Sequence, residues 1–466
     1  MNRDVRPIDP AVAAERLARL IRIDTVSSGD EETDAETFAA VGRELERLYP
    51  RSTERCTVTH VGRRCLQYRW DPAHESEPPA TSPRATGPLV LMAHADVVPA
   101  DAADGWQHPP FEGVIAAGSV HGRGALDDKG PLVAIFEAVE SLAAEGFEPT
   151  RPLIISIGGD EETLGSGGAD AAQAIDDAGD TPWLVLDEGG AVVDPPLPFV
   201  HGDNAMIGIC EKGYASLRLR AVAAPGHSST PTGPSAPDRL ARAITRLQRR
   251  PFPAHLSRPV RAMLECLADG ERGASRHVIR ALAAAGPVTA RIFAAIGGEP
   301  AALVRTTCAV TMLRAGTAAN VSAPDATATL NLRIATGESI ARTVRRVRRV
   351  IRDRTISIDV VTASEPTPVA PHDGGQFAAI GAAVAASHPG ARPVPYPVMA
   401  TTDSRHFHRR WPHVYRLAPV TMTAGQRASI HGIDEHITID ALGRAIAFHR
   451  ALIRRSLGSP GSDPDE

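Results

Sequence analysis

Three apolar runs in this chain end in residues that bind metal ions or move protons. In the first, Leu89, Val90, Leu91 and Met92 lead to His94 and Asp96, and a Gly-rich turn then delivers Asp127 and Asp128 to the mouth of a helix. An imidazole and carboxylates from strand ends are the ligands that suit a borderline divalent ion such as zinc. Two residues apart on an extended chain, His94 and Asp96 point the same way, so Asp96 sits behind the imidazole as an orienting carboxylate. Taken singly, His94 is an ordinary strand-end histidine and Asp127–Asp128 a helix cap. Two successive acids before Lys129-Gly130 are more than one cap needs. The second run, Leu153–Ile157, is followed by Asp160, Glu161 and Glu162; the third, Trp183–Leu186, by Asp187, Glu188 and two glycines. Ligands collect at the carboxyl ends of strands in open α/β sheets. Carboxylates meeting at one sheet edge repel each other unless cations lie among them, and two divalent ions would resolve that repulsion.

The elements that must position these residues follow from periodicity. Leu132, Val133, Ile135, Phe136, Val139 and Leu142 form a broad stripe on a helix from about Gly130 to Ala144, suited to packing on a sheet. Strand, loop, helix, strand is an α/β layout. From Glu211 the pattern changes: Tyr214–Val222 alternates as a half-exposed strand, PGHSSTP follows, and then comes a helix with Leu240, Ala243, Ile244 and Leu247 on one side. Strand patterns recur at Ala326–Ile334 and Ile356–Val361, around a helix near Ser339–Arg352. The arginines of that helix are expected to form a solvated face opposite Val344, Val347, Val350 and Ile351. The predicted organisation is an α/β catalytic domain, residues 1–210 and 366–466, interrupted by an α+β lid, residues 211–365, that carries a helical insertion at about 255–303. Asp71–Gly87, rich in Pro, Ser and Thr, reads as a surface loop, and the tail from about 458 as disordered.

Composition excludes several classes. The net charge of −5, from 50 basic and 55 acidic residues, argues against a nucleic-acid binder. The five cysteines are scattered without a CxxC pair and read as reduced thiols. No run approaches the ~18 apolar residues of a membrane span. The N-terminus lacks the pattern of a signal peptide. A cytoplasmic protein without membrane partners is the expectation.

With these motifs assembled, the chain resembles the dinuclear zinc aminoacylase and carboxypeptidase family of metallopeptidases, most of all its carboxypeptidase S and N-acyl-amino-acid hydrolase branch. The likeness runs in order through HADVVP, GRGALDDKG, DEETLGSGGA, LDEGG, GHSSTP, TDSRHF and IHGIDEHI, and spans nearly the whole chain. The resemblance implies a mixed-sheet zinc-hydrolase domain with an inserted, dimerisation-type lid. It implies two Zn2+ ions, with Co2+ or Mn2+ as alternatives. His94, Asp127 and Asp187 would hold one ion, and Asp127, Glu162 and His431 the other. LDEG offers both Asp187 and Glu188, and Asp187 is the choice made here. Asp96 would orient His94, and Glu161 would be the general base. His227 would donate to the oxyanion, arriving from a partner's lid in dimeric members, so a homodimer is expected. Asn320 and Arg405 are the candidates for gripping a substrate carboxylate, the alternative for Arg405 being a pair with Asp403. The Asp127–Asp128 peptide would be cis. His121 before GRG, Asp434 in the HGxNE-like run and Ala400-Thr401 before Thr402-Asp403 depart from the family pattern without removing a ligand.

The implied reaction is hydrolysis of an amide bond next to a free carboxylate, in a peptide or an N-acyl amino acid. Two readings compete with it. A phosphoesterase would call for an anion nest or basic cluster beside the acids, and only the arginine of TDSRHF is in view. An inactive metal-binding scaffold would have lost Glu161 or Asp96, and both are present.

Overall fold

The computed structural model describes residues 9–73, 87–195, 197, 199–230 and 233–459. Most of the expected loop Asp71–Gly87, and the tail beyond residue 459, lie outside the described residues. The chain divides into two compact units. The described residues of Met1–Ile209, Ala370–Pro395 and Thr402–Glu466 form the first, and Cys210–Val369 with Tyr396–Thr401 the second. Tyr396–Thr401, expected in the catalytic domain, falls in the second unit because its polar groups are satisfied there. Lys212 N–H donates to Val398 O (3.0 Å), and Arg333 Nη1 to Thr401 Oγ1 (3.0 Å).

At the centre of the first unit, strand Leu89–His94 is buried along its whole length. It runs parallel to Leu153–Gly158 on one side and to Leu184–Asp187 on the other, with His94 level with Gly158. Such strands have no solvent face, which is why they read as unbroken apolar runs. Val414–Arg416 continues the parallel set beyond Leu184–Asp187, and antiparallel Cys65–Trp70 flanks Leu153–Gly158. The chain leaves Leu89–His94 for the neighbour on one side and then crosses to the neighbour on the other. His94 therefore ends the strand at which strand order reverses, where a crevice forms outside the carboxyl ends. Helix Lys129–Glu145 covers the sheet with Leu132, Val133, Ile135, Phe136, Val139 and Leu142 all buried. Its start is fixed by a close approach: a Cβ on Gly130 would lie 2.2 Å from Ala125 O.

The second unit is an antiparallel sheet in the order Thr307–Ala315, Asp325–Ile334, Gly213–Val222, Ser357–Ser364. Helices Ala236–Arg249 and Ile340–Ile351 share its core, with Leu217, Leu219, Leu330 and Leu332 meeting Leu240, Val347 and Ile351. Ser235 and Asp238 make a reciprocal capping box at the first helix, and Ser339 caps the second. On the second helix Val347, Val350 and Ile351 are buried while Arg342, Arg345, Arg348 and Arg349 are exposed, the solvated face that its periodicity predicts. The inserted segment folds as helices Arg258–Asp269, Gly273–Ala284, Gly286–Ile296 and Gly298–Val304.

Candidate active site

The sheet edge gathers most of the predicted ligands at one point. His94, Asp127 and Glu162 offer ligand atoms that all lie within 4.8 Å of one another. His94 Nε2 is 2.9 Å from Asp127 Oδ1. His431 Nε2 is 3.2 Å from both Asp127 Oδ2 and Glu162 Oε2. Asp127 thus stands between the two histidines, one oxygen towards each, and the Asp127–Asp128 peptide is cis, as the resemblance implies. His431 is carried on a loop in the left-handed region (φ 59°) after the short helix Ala424–Ser429.

The donor geometry and crowded charge here suit a proton or a metal cation. His94 Nδ1 lies 2.9 Å from the Asp96 backbone oxygen, which can only accept, so Nδ1 carries the hydrogen and Nε2 presents its lone pair to Asp127. Two lone pairs at 2.9 Å need a proton or a metal ion between them. Burial lowers the His94 pKa, but Asp127 and Asp96 outweigh it and hold it well above the usual imidazole value. His431 is likewise pushed up to about 10 by Asp127 and Glu162. Burial drives Asp128, Glu161 and Glu188 well above the usual carboxylate range, with neighbouring acids adding to the shift. Among the described residues, Glu162 Oε1 and Asp128 Oδ1 are buried without a hydrogen-bond partner. Oxygen and imidazole donors, orphaned carboxylate oxygens and crowded negative charge are what a divalent cation satisfies, so the residues present fit a metal.

Other residues act at one remove. The nearer contact of Asp96 to His94 is through its backbone oxygen; its carboxylate oxygen lies 3.5 Å from Nδ1. That carboxylate instead accepts the N–H groups of Glu161 (3.2 Å) and Glu162 (2.9 Å), fixing both glutamates. Glu435, to which sequence reasoning assigned no role, is fully buried. It accepts from Leu126 N–H (2.8 Å), Asp127 N–H (3.1 Å), Gly124 N–H (3.2 Å) and Arg123 Nη1 (2.6 Å). Arg123 Nη2 also donates to Gly432 O at 2.7 Å. The Arg123–Glu435 pair thereby ties the turn bearing Asp127 to the loop bearing His431. The available signal was an acid in the same short run as His431 and an arginine inside GRG.

Two predicted assignments meet their alternatives in the structure. Asp187 ends its strand with its carboxylate accepting Ser404 N–H at 2.8 Å. Glu188 has no such partner among the described residues, and after burial the largest influence on it is Asp127. Glu188 therefore stands beside Asp187 as a candidate for the third carboxylate. Arg405 is buried and donates to Thr402 O (2.8 Å) and towards Asp403 Oδ1 (3.4 Å), the alternative pairing, and so does not present a free guanidinium to a substrate. His227 and Asn320 belong to the second unit, both exposed, on a two-stranded ribbon in which Gly226 pairs with Ser322 and His227 with Val321. Asn320 O accepts Ser228 N–H (3.3 Å). Ser229 donates its N–H to His227 Nδ1 at 3.2 Å, leaving the neutral ring's hydrogen on Nε2.

An α/β sheet with carboxylates and histidines converging at its switch point defines a metal-dependent hydrolase class. Residues 90–455 match peptidase family M20/M25/M40, and the chain belongs to that family. It is 31% identical over 452 residues to the probable carboxypeptidase S-like 2 of Dictyostelium discoideum, covering 95% of this chain and 85% of the relative. It is 30% identical to the N-fatty-acyl-amino acid synthase/hydrolase of Xenopus tropicalis, with the same coverage. Among solved structures, the fold resembles an M20 family metallo-carboxypeptidase of Sulfolobus solfataricus (TM-score 0.68, 16% identity, 95% and 99% of the two chains). It also resembles human carnosine dipeptidase 1 (TM-score 0.62, 14% identity, 96% of each chain).

Proposed function

We propose that this chain is a two-zinc hydrolase of amide bonds next to a free carboxylate, acting on N-acyl amino acids or on the C-terminal residue of small peptides. The observation that carries the reading is the position of Asp127, shared between His94 and His431 with Glu162 alongside. His94, Asp127 and Glu188 would hold one ion, and Asp127, Glu162 and His431 the other. Zinc bound there supplies a lowered water pKa and polarisation of the scissile carbonyl. Glu161, pushed towards protonation by burial, suits a base that takes the proton of the attacking water and returns it to the leaving amine. His227, with its hydrogen on Nε2, suits donation to the developing oxyanion, a role typically worth about 10²–10³ in kcat.

The names of the relatives extend the reading to acyl groups as long as fatty acids. A homodimer through the second unit is part of the proposal. It draws on the edge strand Thr307–Ala315, which shows Val310, Met312 and Leu313 to solvent; such edges invite pairing with another chain. The test is a panel of N-acyl amino acids of increasing chain length and of dipeptides, each offered to zinc-loaded protein as free acid and as amide. Cleavage of the acids alone is expected, and equal rates on acids and amides would overturn the assignment.

A further inference from the structure

The helical insertion carries an apolar face that nothing among the described residues covers. Helices Gly273–Ala284 and Gly286–Ile296 meet at a bend of 102°. Their inner side is anchored to the protein by buried Ile279, Ala283, Ala290 and Phe293. Outward, Val288, Ile292 and Ile296 are 55%, 43% and 66% exposed, and their spacing of four residues sets them in one stripe along the second helix. Val278 on the first helix is also exposed, at 41%. Single exposed apolar residues are ordinary, but a contiguous stripe marks an interaction surface.

The charge carried by these two helices themselves has one sign. From Gly273 to Gly298 the chain has no Asp or Glu, yet it includes Arg276, Arg280 and Arg291, in a protein whose net charge is −5. Arg280 and Arg291 are exposed; Arg280 Nη2 lies 2.7 Å and Arg276 Nη2 3.7 Å from Asp269 Oδ1 at the end of the preceding helix, so two arginines share one acid and that group keeps a net positive charge. Helices of 12 and 11 residues reach about 17–18 Å each at the usual rise, well short of a hydrocarbon core of about 30 Å. With their inner faces held by the protein, they are built to lie on a surface and not to cross it. The sequence expectation of no membrane partner rested on span length, which a surface-lying hairpin does not need.

We propose that this helical hairpin docks the enzyme on an anionic lipid surface, with Val288, Ile292 and Ile296 entering the acyl layer and Arg280 and Arg291 meeting headgroup phosphates. The inference rests on the hydrolase reading for its purpose, since an amino acid acylated with a long chain is itself an anionic amphiphile that partitions into such surfaces. The docking is measured without turnover, so the two readings fail separately.

The experiment is co-sedimentation of the full chain with phosphatidylcholine vesicles, pure or containing one-quarter phosphatidylglycerol. The wild type is expected to bind the anionic vesicles at least ~10-fold more tightly than the neutral ones, and less so as salt rises. Ile292→Glu/Ile296→Glu is expected to lose at least ~10-fold of that affinity, and Arg280→Glu/Arg291→Glu a similar amount. Both variants should keep wild-type melting temperature and wild-type hydrolysis of a short-chain N-acyl amino acid. The proposal is overturned by a wild type that stays in the supernatant, or by unchanged binding of Ile292→Glu/Ile296→Glu. It is also overturned by a wild-type dimer that this variant converts to monomer, which would show that a second copy of the chain covers the stripe.

Discussion

Glu161 and Glu162 are neighbours held by the two oxygens of one carboxylate, Asp96, and this shared clamp lets their side chains do different work. Glu162 turns to His431, while Glu161 stays buried with its proton affinity raised. Glu161→Gln should therefore keep metal content and fold while the chemical step falls by about 10²–10⁴-fold, the range for losing a general acid–base group. Metal analysis beside single-turnover kinetics checks this; metal loss in Glu161→Gln with retention in Glu162→Gln would mean the roles are reversed. The same paired measurement separates Asp187 from Glu188. Glu188→Gln should lose bound zinc, and Asp187→Ala should lower stability through the freed Ser404 N–H while retaining more of the zinc. His94, Asp127, Glu162 and His431 were legible because each sits in a short run with the spacing of a strand end or helix mouth. Asp187 against Glu188 was not, because adjacent residues leave a strand end in opposite directions and the phase is set by packing. Arg405 lies only two residues from Asp403, towards which it donates at 3.4 Å, the alternative pairing that a motif string leaves open.

At the scale of elements, the buried Arg123–Glu435 pair joins two segments more than three hundred residues apart in sequence. Removing one partner of such a pair strands the other and typically costs roughly 3–5 kcal/mol. Glu435→Ala and Arg123→Ala should each lower the melting temperature and the zinc affinity together, and the double variant should lose less than their sum; strict additivity would show that the pair does not couple the two loops. The sequence offered only the acid beside His431 and the arginine of GRG as a signal for this clamp, since most of its donors are backbone N–H groups whose positions exist only once the turn is formed. Helices with one buried stripe, such as Lys129–Glu145 and Ile340–Ile351, were readable from periodicity. The edge strand Thr307–Ala315 was not, because it is exposed along nearly its whole length and so carries no alternation. Helix Ile439–Leu457 contains His449, which burial lowers to about 3, with both ring nitrogens unpartnered among the described residues. Burial also lowers His406 to about 3 and His388 to about 4. A folded-state pKa below the unfolded value of about 6.5 means that the unfolded chain takes up protons first. These histidines therefore contribute no penalty above that value and destabilise the fold as pH falls towards their folded values. Melting temperature should drop from pH 7.5 to pH 5, and His449→Leu should shrink the drop; an unchanged slope would remove His449 from the account.

For the whole molecule, the site residues divide between two units: the metal-binding group lies wholly in the first, and His227 and Asn320 in the second. If His227 serves the site of a partner subunit, then mixing inactive Glu161→Gln with inactive His227→Ala protein restores activity, up to one competent site per heterodimer. No recovery after verified subunit exchange would mean that His227 acts within its own chain or not at all. The two-unit plan was visible in the sequence as a change from unbroken apolar runs to alternating ones near Glu211. The return of Tyr396–Thr401 to the second unit was not, since it depends on hydrogen bonds to residues far earlier in the chain. The central claim, that Asp127 is shared by two metal ions, is tested most directly by counting zinc in purified, zinc-saturated protein and in its His431→Ala variant. Two ions per wild-type chain and close to one in the variant are predicted; a single ion in the fully loaded wild type would contradict the account.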